Sequence, residues 1–106
     1  MQENDGWSAL MISSQNGHTE TAKLLLDHGA DVNMQTDDGW SALMSSSQNG
    51  HTQTAKLLLD HGANVNMQEN DGRSALMISS QNGHTQTAKL LLDHGCLLYT
   101  SDAADE

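Results

Sequence analysis

Two kinds of apolar cluster alternate along the chain, each closed by a glycine. The first is Ala9-Leu10-Met11-Ile12, which follows Ser8 and gives way to Asn16-Gly17. Serine is a strong N-cap and glycine a common residue just past a helix end, so a short helix is predicted from Ala9 to about Asn16. The second runs from Thr19 to His28 and is followed by Gly29. At about 100° per residue, Thr21, Ala22, Leu24, Leu25 and Leu26 fall on one broad arc and Glu20, Lys23 and Asp27 on the other. An arc that wide is expected of a helix sandwiched between neighbours. The following polar stretch, from Ala30-Asp31-Val32-Asn33 to Asp38-Gly39, lacks helical periodicity and is rich in turn-forming residues, so an extended, turn-bearing connection is predicted.

The same text then begins again. Gly6, Gly39 and Gly72 are 33 residues apart, as are Gly17, Gly50, Gly83 and Gly29, Gly62, Gly95, and these are all nine glycines of the 106 residues. Residues 1–33 and 34–66 agree at 28 of 33 positions, and a third copy, residues 67–95, is faithful to Gly95. A fixed period of this length is the signature of a solenoid in which each unit buries its apolar face on the next.

The residues Asp5-Gly6-x-Ser8-x-Leu10, Gly17-His18, Leu25-Leu26, Gly29-Ala30 and Val32-Asn33, with their copies, resemble the ankyrin repeat. The resemblance covers about nine-tenths of the chain. It implies an all-α solenoid of stacked antiparallel helix pairs with β-hairpin fingers projecting from one side. It also implies non-catalytic protein–protein recognition through the finger tips and first helices, with no cofactor. The positions that the resemblance places on that face are Asn4, Asp5, Trp7, Gln15 and Asn16; Asp37, Asp38, Trp40, Gln48 and Asn49; and Asn70, Asp71, Arg73, Gln81 and Asn82. Trp7 and Trp40 give way to Arg73 in the third copy, which suits a contact position better than a core one, since Trp and Arg share enrichment at interface hot spots. The bland alternative, of even weight, is a ring that merely packs over a neighbouring finger. Two further readings are a structural spacer within a larger multidomain protein and a hydroxylase substrate at the Val-Asn steps, which by resemblance nominates Asn33 and Asn66.

Departures from the family pattern carry physical consequences. The Thr-Pro-Leu-His tetrapeptide is replaced by Ser8-Ala9-Leu10-Met11 and its copies, which keeps the capping hydroxyl but loses the hydrogen bonds of the histidine. Ser13-Ser14, Ser46-Ser47 and Ser79-Ser80 stand where the family has paired alanines, so any buried hydroxyl needs an acceptor, often a carbonyl one turn back. Thr21, Thr54 and Thr87 replace an aliphatic residue, at an expected cost on the order of 1 kcal/mol each. No copy shows the polar outer face of a terminal cap. Met1 aligns with Met34 and Met67, inside the repeat, so a longer array is expected. Residues 96–106 abandon the period and resemble a translated sequencing adaptor; they are expected to be a non-native tail.

Charge and candidate chemistry narrow the function. Fourteen acidic residues oppose four basic ones, a formal net charge of −10. Such a field disfavours phosphate backbones and anionic membranes, so neither nucleic acid nor membrane is an expected partner. A basic or mixed protein surface is. Cys96 stands alone, which removes any internal disulfide, and an intracellular, cytoplasmic setting is the simple expectation, the nucleus included. The six histidines are two repeat positions copied three times, His18, His51, His84 and His28, His61, His94. Within a unit they lie ten residues apart, about 15 Å along a helix, too far to share a metal. No serine lies in a Gly-x-Ser-x-Gly elbow. A catalytic site is normally built once, whereas each polar residue here is built three times, and neither an enzyme, a metal site nor a small-molecule substrate is expected.

Overall fold

The computed structural model describes residues 7–96. Six helices follow one another: α1 (Ala9–Gln15), α2 (Thr19–Asp27), α3 (Ala42–Gln48), α4 (Thr52–Asp60), α5 (Ala75–Gln81) and α6 (Thr85–Asp93). Odd-numbered helices pack on one another in one layer, even-numbered ones in a second, and each pair closes across the layers. Every first helix begins as the sequence predicts. Ser8, Ser41 and Ser74 accept hydrogen bonds from the main-chain N–H groups of Met11, Met44 and Met77. Each helix then ends in a reverse turn. His18 N–H donates to Ser13 O and Ala30 N–H to Leu25 O, both at 2.9–3.0 Å, the six-residue bond of a Schellman cap with glycine left-handed between.

The core is built of leucine, alanine and methionine: Leu10, Met11, Ala22, Leu43, Met44, Ala55, Leu58, Leu76, Ile78 and Leu91 are all buried. The broad apolar arc predicted for the second helices is only partly used. Ala55 and Leu58 are fully buried in the middle repeat, whereas Leu24 in the first is 57% exposed. Each face of such a helix is covered only by the repeat on that side.

Successive repeats are joined by polar contacts that the sequence hides. The hydroxyls of Thr19 and Thr54 lie 2.7 Å apart, and so do those of Thr52 and Thr87. The threonine standing for an aliphatic residue therefore has a partner in the preceding repeat, which offsets the desolvation cost expected of it. The imidazole of His51 lies over Gly17 and that of His84 over Gly50, each where a glycine Cβ would be, within 2.7 Å of that point. His84 Nε2 also lies 2.9 Å from Gln48 O. The paired serines divide in the same way. Ser13, Ser46 and Ser79 donate to carbonyls one turn back, as expected. Ser14 and Ser47 are buried with no partner for the hydroxyl. A buried unpaired hydroxyl costs about 1–3 kcal/mol and alanine is also the better helix former. Ser47→Ala is expected to stabilise the chain by about 1 kcal/mol and raise Tm by roughly 4–8 °C, as measured by thermal melting; a lower Tm would show that the hydroxyl is satisfied.

The β-hairpin fingers are not seen. Among the described residues there is no strand, only one antiparallel bridge between Gln68 and Ser74. The reason is a competition for donors. Thr36 N–H donates to Trp40 O as a hairpin requires, but Trp40 N–H donates to the Thr36 hydroxyl instead of the main chain. In the third repeat Arg73 N–H is likewise taken by the Glu69 carboxylate. The fingers are tight turns, closed by Gly39 N–H to Thr36 O and Gly72 N–H to Glu69 O, both at 2.8 Å.

Candidate functional site

Two of the positions expected on the contact face, Asn4 and Asp5, lie outside the described residues. The rest follow the fingers and the ends of the first helices. Gln15, Asn16, Gln48, Asn49, Gln81 and Asn82 are exposed at the C-terminal ends of α1, α3 and α5, and Asp37, Asp38, Asn70 and Asp71 are exposed on the turns. Successive fingers are tied together: Asn70 N–H donates to Asp38 O at 2.9 Å and Asn70 Nδ2 to Asp37 O at 3.0 Å. The helix ends are tied as well, by Asn49 Nδ2 donating to Gln15 O at 3.1 Å. Part of the amide chemistry that the sequence nominates for a partner is thus spent in holding the array.

Arg73 joins finger to helix. Its guanidinium lies over the Trp40 ring at 5.9 Å from the centroid, donates through Nη1 to Gln81 Oε1 at 3.2 Å, and pairs through Nη2 with Glu69 Oε2 at 3.1 Å. Both predicted interface residues, Trp40 and Arg73, are half-buried, and each covers the other. A packed ring and a contact ring are therefore not exclusive at Trp40. Trp7 is also half-buried, packed against the core.

Glu69 organises the third finger, and sequence reasoning passes over it. It is buried, at 7% exposure, where the second repeat has Thr36. Its Oε1 accepts from Asp71 N–H at 2.7 Å and Arg73 N–H at 3.0 Å, so one carboxylate shapes the whole third turn. Desolvation pulls its pKa up, but the main-chain and side-chain hydrogen bonds from Arg73 and the N–H of Asp71 outweigh it and leave the carboxyl below its usual value. A carboxyl more acidic in the folded than in the unfolded chain contributes stability above its unfolded pKa, and that contribution is lost as pH falls through the folded one. The wild type is therefore expected to lose stability on acidification below the ordinary glutamate range more steeply than Glu69→Gln, by urea titration at a series of pH values. Parallel curves would show that the Glu69 hydrogen bonds do not differ between the two states. The sequence carries no signal of this pairing, because the first copy has a glutamate at the same place, Glu3, with Trp7 instead of an arginine.

The Val-Asn positions differ in setting. Asn33 bridges two repeats, its Nδ2 donating to Gly62 O at 3.2 Å and its Oδ1 accepting from Asn64 N–H at 2.8 Å. Asn66 is exposed. The histidines of the second helix ends, His28, His61 and His94, set Nδ1 at 2.9–3.0 Å from the carbonyls of Leu24, Leu57 and Leu90. Among the described residues no group of three or more His, Cys, Asp or Glu could hold a metal ion. Within them too, no helix is long and apolar enough to cross a membrane. Cys96 is buried where Ala30 and Ala63 stand in the earlier copies, its Sγ 3.3 Å from Val65 O, and burial pushes the thiol pKa up. The rest of the expected tail, residues 97–106, lies outside the described residues.

Helix pairs stacked in two layers with a 33-residue period define a solenoid repeat module. A family model described as ankyrin repeats (3 copies) matches residues 1–69 and 29–102, and the chain belongs to the ankyrin-repeat family. No curated protein matches it. Ankyrin repeats are generally protein–protein interaction modules and typically non-catalytic.

Proposed function

We propose that this array is a non-catalytic recognition module that binds a basic or mixed protein surface through its finger turns and the ends of its first helices. The observation that carries the reading is the row of exposed finger carboxylates, Asp37, Asp38 and Asp71, set beside the Trp40–Arg73–Gln81 cluster on a scaffold already braced by its own hydrogen bonds. A braced surface loses little entropy on binding, and an acidic rim steers a basic partner and rejects an acidic one. Reversing the rim in the variant D37K/D38K/D71K leaves the core untouched. Capture of a binding protein by the wild type, with about tenfold or greater loss of affinity in the reversed variant at unchanged helical circular dichroism, supports the reading. Equal binding by both refutes it. In the same assay Trp40→Ala is expected to weaken binding while the helical signal holds.

A further inference from the structure

Three Asn-Gly steps close the first helices, and we propose that Asn82-Gly83 is a site of spontaneous deamidation, at which the fold withholds the protection that it gives to Asn49-Gly50. The inference goes beyond partner recognition. It concerns a covalent change in the chain and holds whether or not the finger face binds a protein.

The chemistry is open to all three steps. Asn16, Asn49 and Asn82 are each followed by glycine, whose missing side chain leaves its main-chain nitrogen free to approach the amide before it. The deprotonated Gly83 nitrogen attacks Cγ of Asn82 and forms a cyclic succinimide. The Cγ–Nδ2 bond breaks, and ammonia leaves with the proton that the Gly83 N–H gave up to solvent. Water then opens the ring at either carbonyl, giving aspartate or isoaspartate. The segment Ser-Ser-Gln-Asn-Gly-His-Thr is identical at 13–19, 46–52 and 79–85, so the local sequence gives the three steps one intrinsic rate. Only the folded environment can separate them.

The environments do differ. Each asparagine is a helix C-cap with ψ of 3–6°, its side chain folded back on the helix. The amide must swing off its acceptor before Cγ can meet the glycine nitrogen. Asn49 Nδ2 is held by two carbonyls, Ser45 O in its own helix at 3.2 Å and Gln15 O in the preceding repeat at 3.1 Å. Asn82 Nδ2 donates to Ile78 O alone, at 2.8 Å. The counterpart of Gln15 O is Gln48 O, and it receives the His84 ring instead, with Nε2 at 2.9 Å. Both asparagines have a repeat before them, so this difference arises inside the array. Asn16 is also held once, by Ile12 O at 2.9 Å, but has no described repeat before it, which leaves Asn49 and Asn82 as the pair to compare. The change has consequences at Asn82. It is exposed at the end of α5, where a new carboxylate meets the negative end of the helix and loses the donor to Ile78 O. Isoaspartate also inserts a methylene into the main chain of the turn that His84 N–H closes on Ser79 O. Its neighbour Gln81 is the residue that receives Arg73.

Incubation of the folded full chain at mildly alkaline pH, followed by tryptic mapping with mass spectrometry, tests this. Trypsin cuts after Lys23, Lys56, Arg73 and Lys89, which places each Asn-Gly step in a different peptide. Conversion of Asn82 is expected to outpace that of Asn49 by about two- to tenfold, the difference that one net hydrogen bond makes to the open population. In concentrated urea the two rates are expected to coincide. Equal rates in the folded chain, or rates that stay unequal in urea, overturn the inference. His84→Phe keeps a ring over Gly50 and leaves Gln48 O free for Asn82. In that variant, at unchanged helical circular dichroism, Asn82 is expected to slow to the rate of Asn49. An unchanged Asn82 rate overturns the inference as well. Should the variant fail to fold, the wild-type rates decide.

Discussion

Leu58→Ala is expected to destabilise the chain by about 2–5 kcal/mol, lowering Tm by roughly 10–40 °C. Leu58 is fully buried in α4, the helix that packs on α2, on α6 and on its own partner α3. Truncation removes three carbons from a site walled by helices on three sides, so the cavity cannot collapse easily. The middle position amplifies the effect. In a linear array each repeat is held by its neighbours, and among the described residues only the second repeat has two. Weakening it loosens both interfaces at once. Leu25→Ala, at the half-buried equivalent in the first repeat, is expected to cost clearly less. Urea denaturation of both variants checks the order. Equal losses would mean that burial against the first repeat matters as much as burial between two.

Gly39→Ala is expected to be the most damaging single change on the fingers. Gly39 has φ +85°, a left-handed conformation that costs a residue with a Cβ about 1–3 kcal/mol. There is also no room. An added Cβ would lie 2.8 Å from Asn70 Oδ1 and 3.0 Å from both Asn70 N and Glu69 Cα. Two of those three are main-chain atoms, so relief requires the third finger to move away from the second. That movement breaks the Asn70–Asp38 and Asn70–Asp37 hydrogen bonds. Gly62→Ala is the informative comparison, because Gly62 has φ +92° with nothing within 4 Å of the added atom. Strain alone predicts similar losses in the two variants. A larger loss in Gly39→Ala, together with faster hydrogen exchange at the Asn70 amide, isolates the close approach of the fingers. That variant is also expected to weaken partner capture, since it displaces the acidic rim.

The candidate face was legible in part. Trp40 and Arg73 stood out because they vary within near-identical copies, and the structure brings them together, ring under guanidinium. That Arg73 would also pair with Glu69 and Gln81 was not legible, because those contacts span the turn and the helix of one repeat in a way that spacing does not encode. Asn33 and Asn49 read as surface amides in the sequence, yet each spans two repeats to a main-chain carbonyl. A polar residue in a repeat sequence gives no sign of whether its partner is water or the neighbouring unit.

By itself the sequence determined the period, the six helices and their caps. Those depend on short-range chemistry: a serine hydroxyl three residues from an N–H, and a glycine one step past the last turn. It also determined the acidic balance, which depends on counting alone. Only the tertiary structure decided which copy of each residue is buried, because identical repeats differ solely in having neighbours. It likewise decided that the fingers are turns rather than hairpins, since Thr36 and Glu69 side chains outcompete the main chain for the same N–H groups once the chain has turned back on itself. Stacking gives three nearly equal copies three different environments.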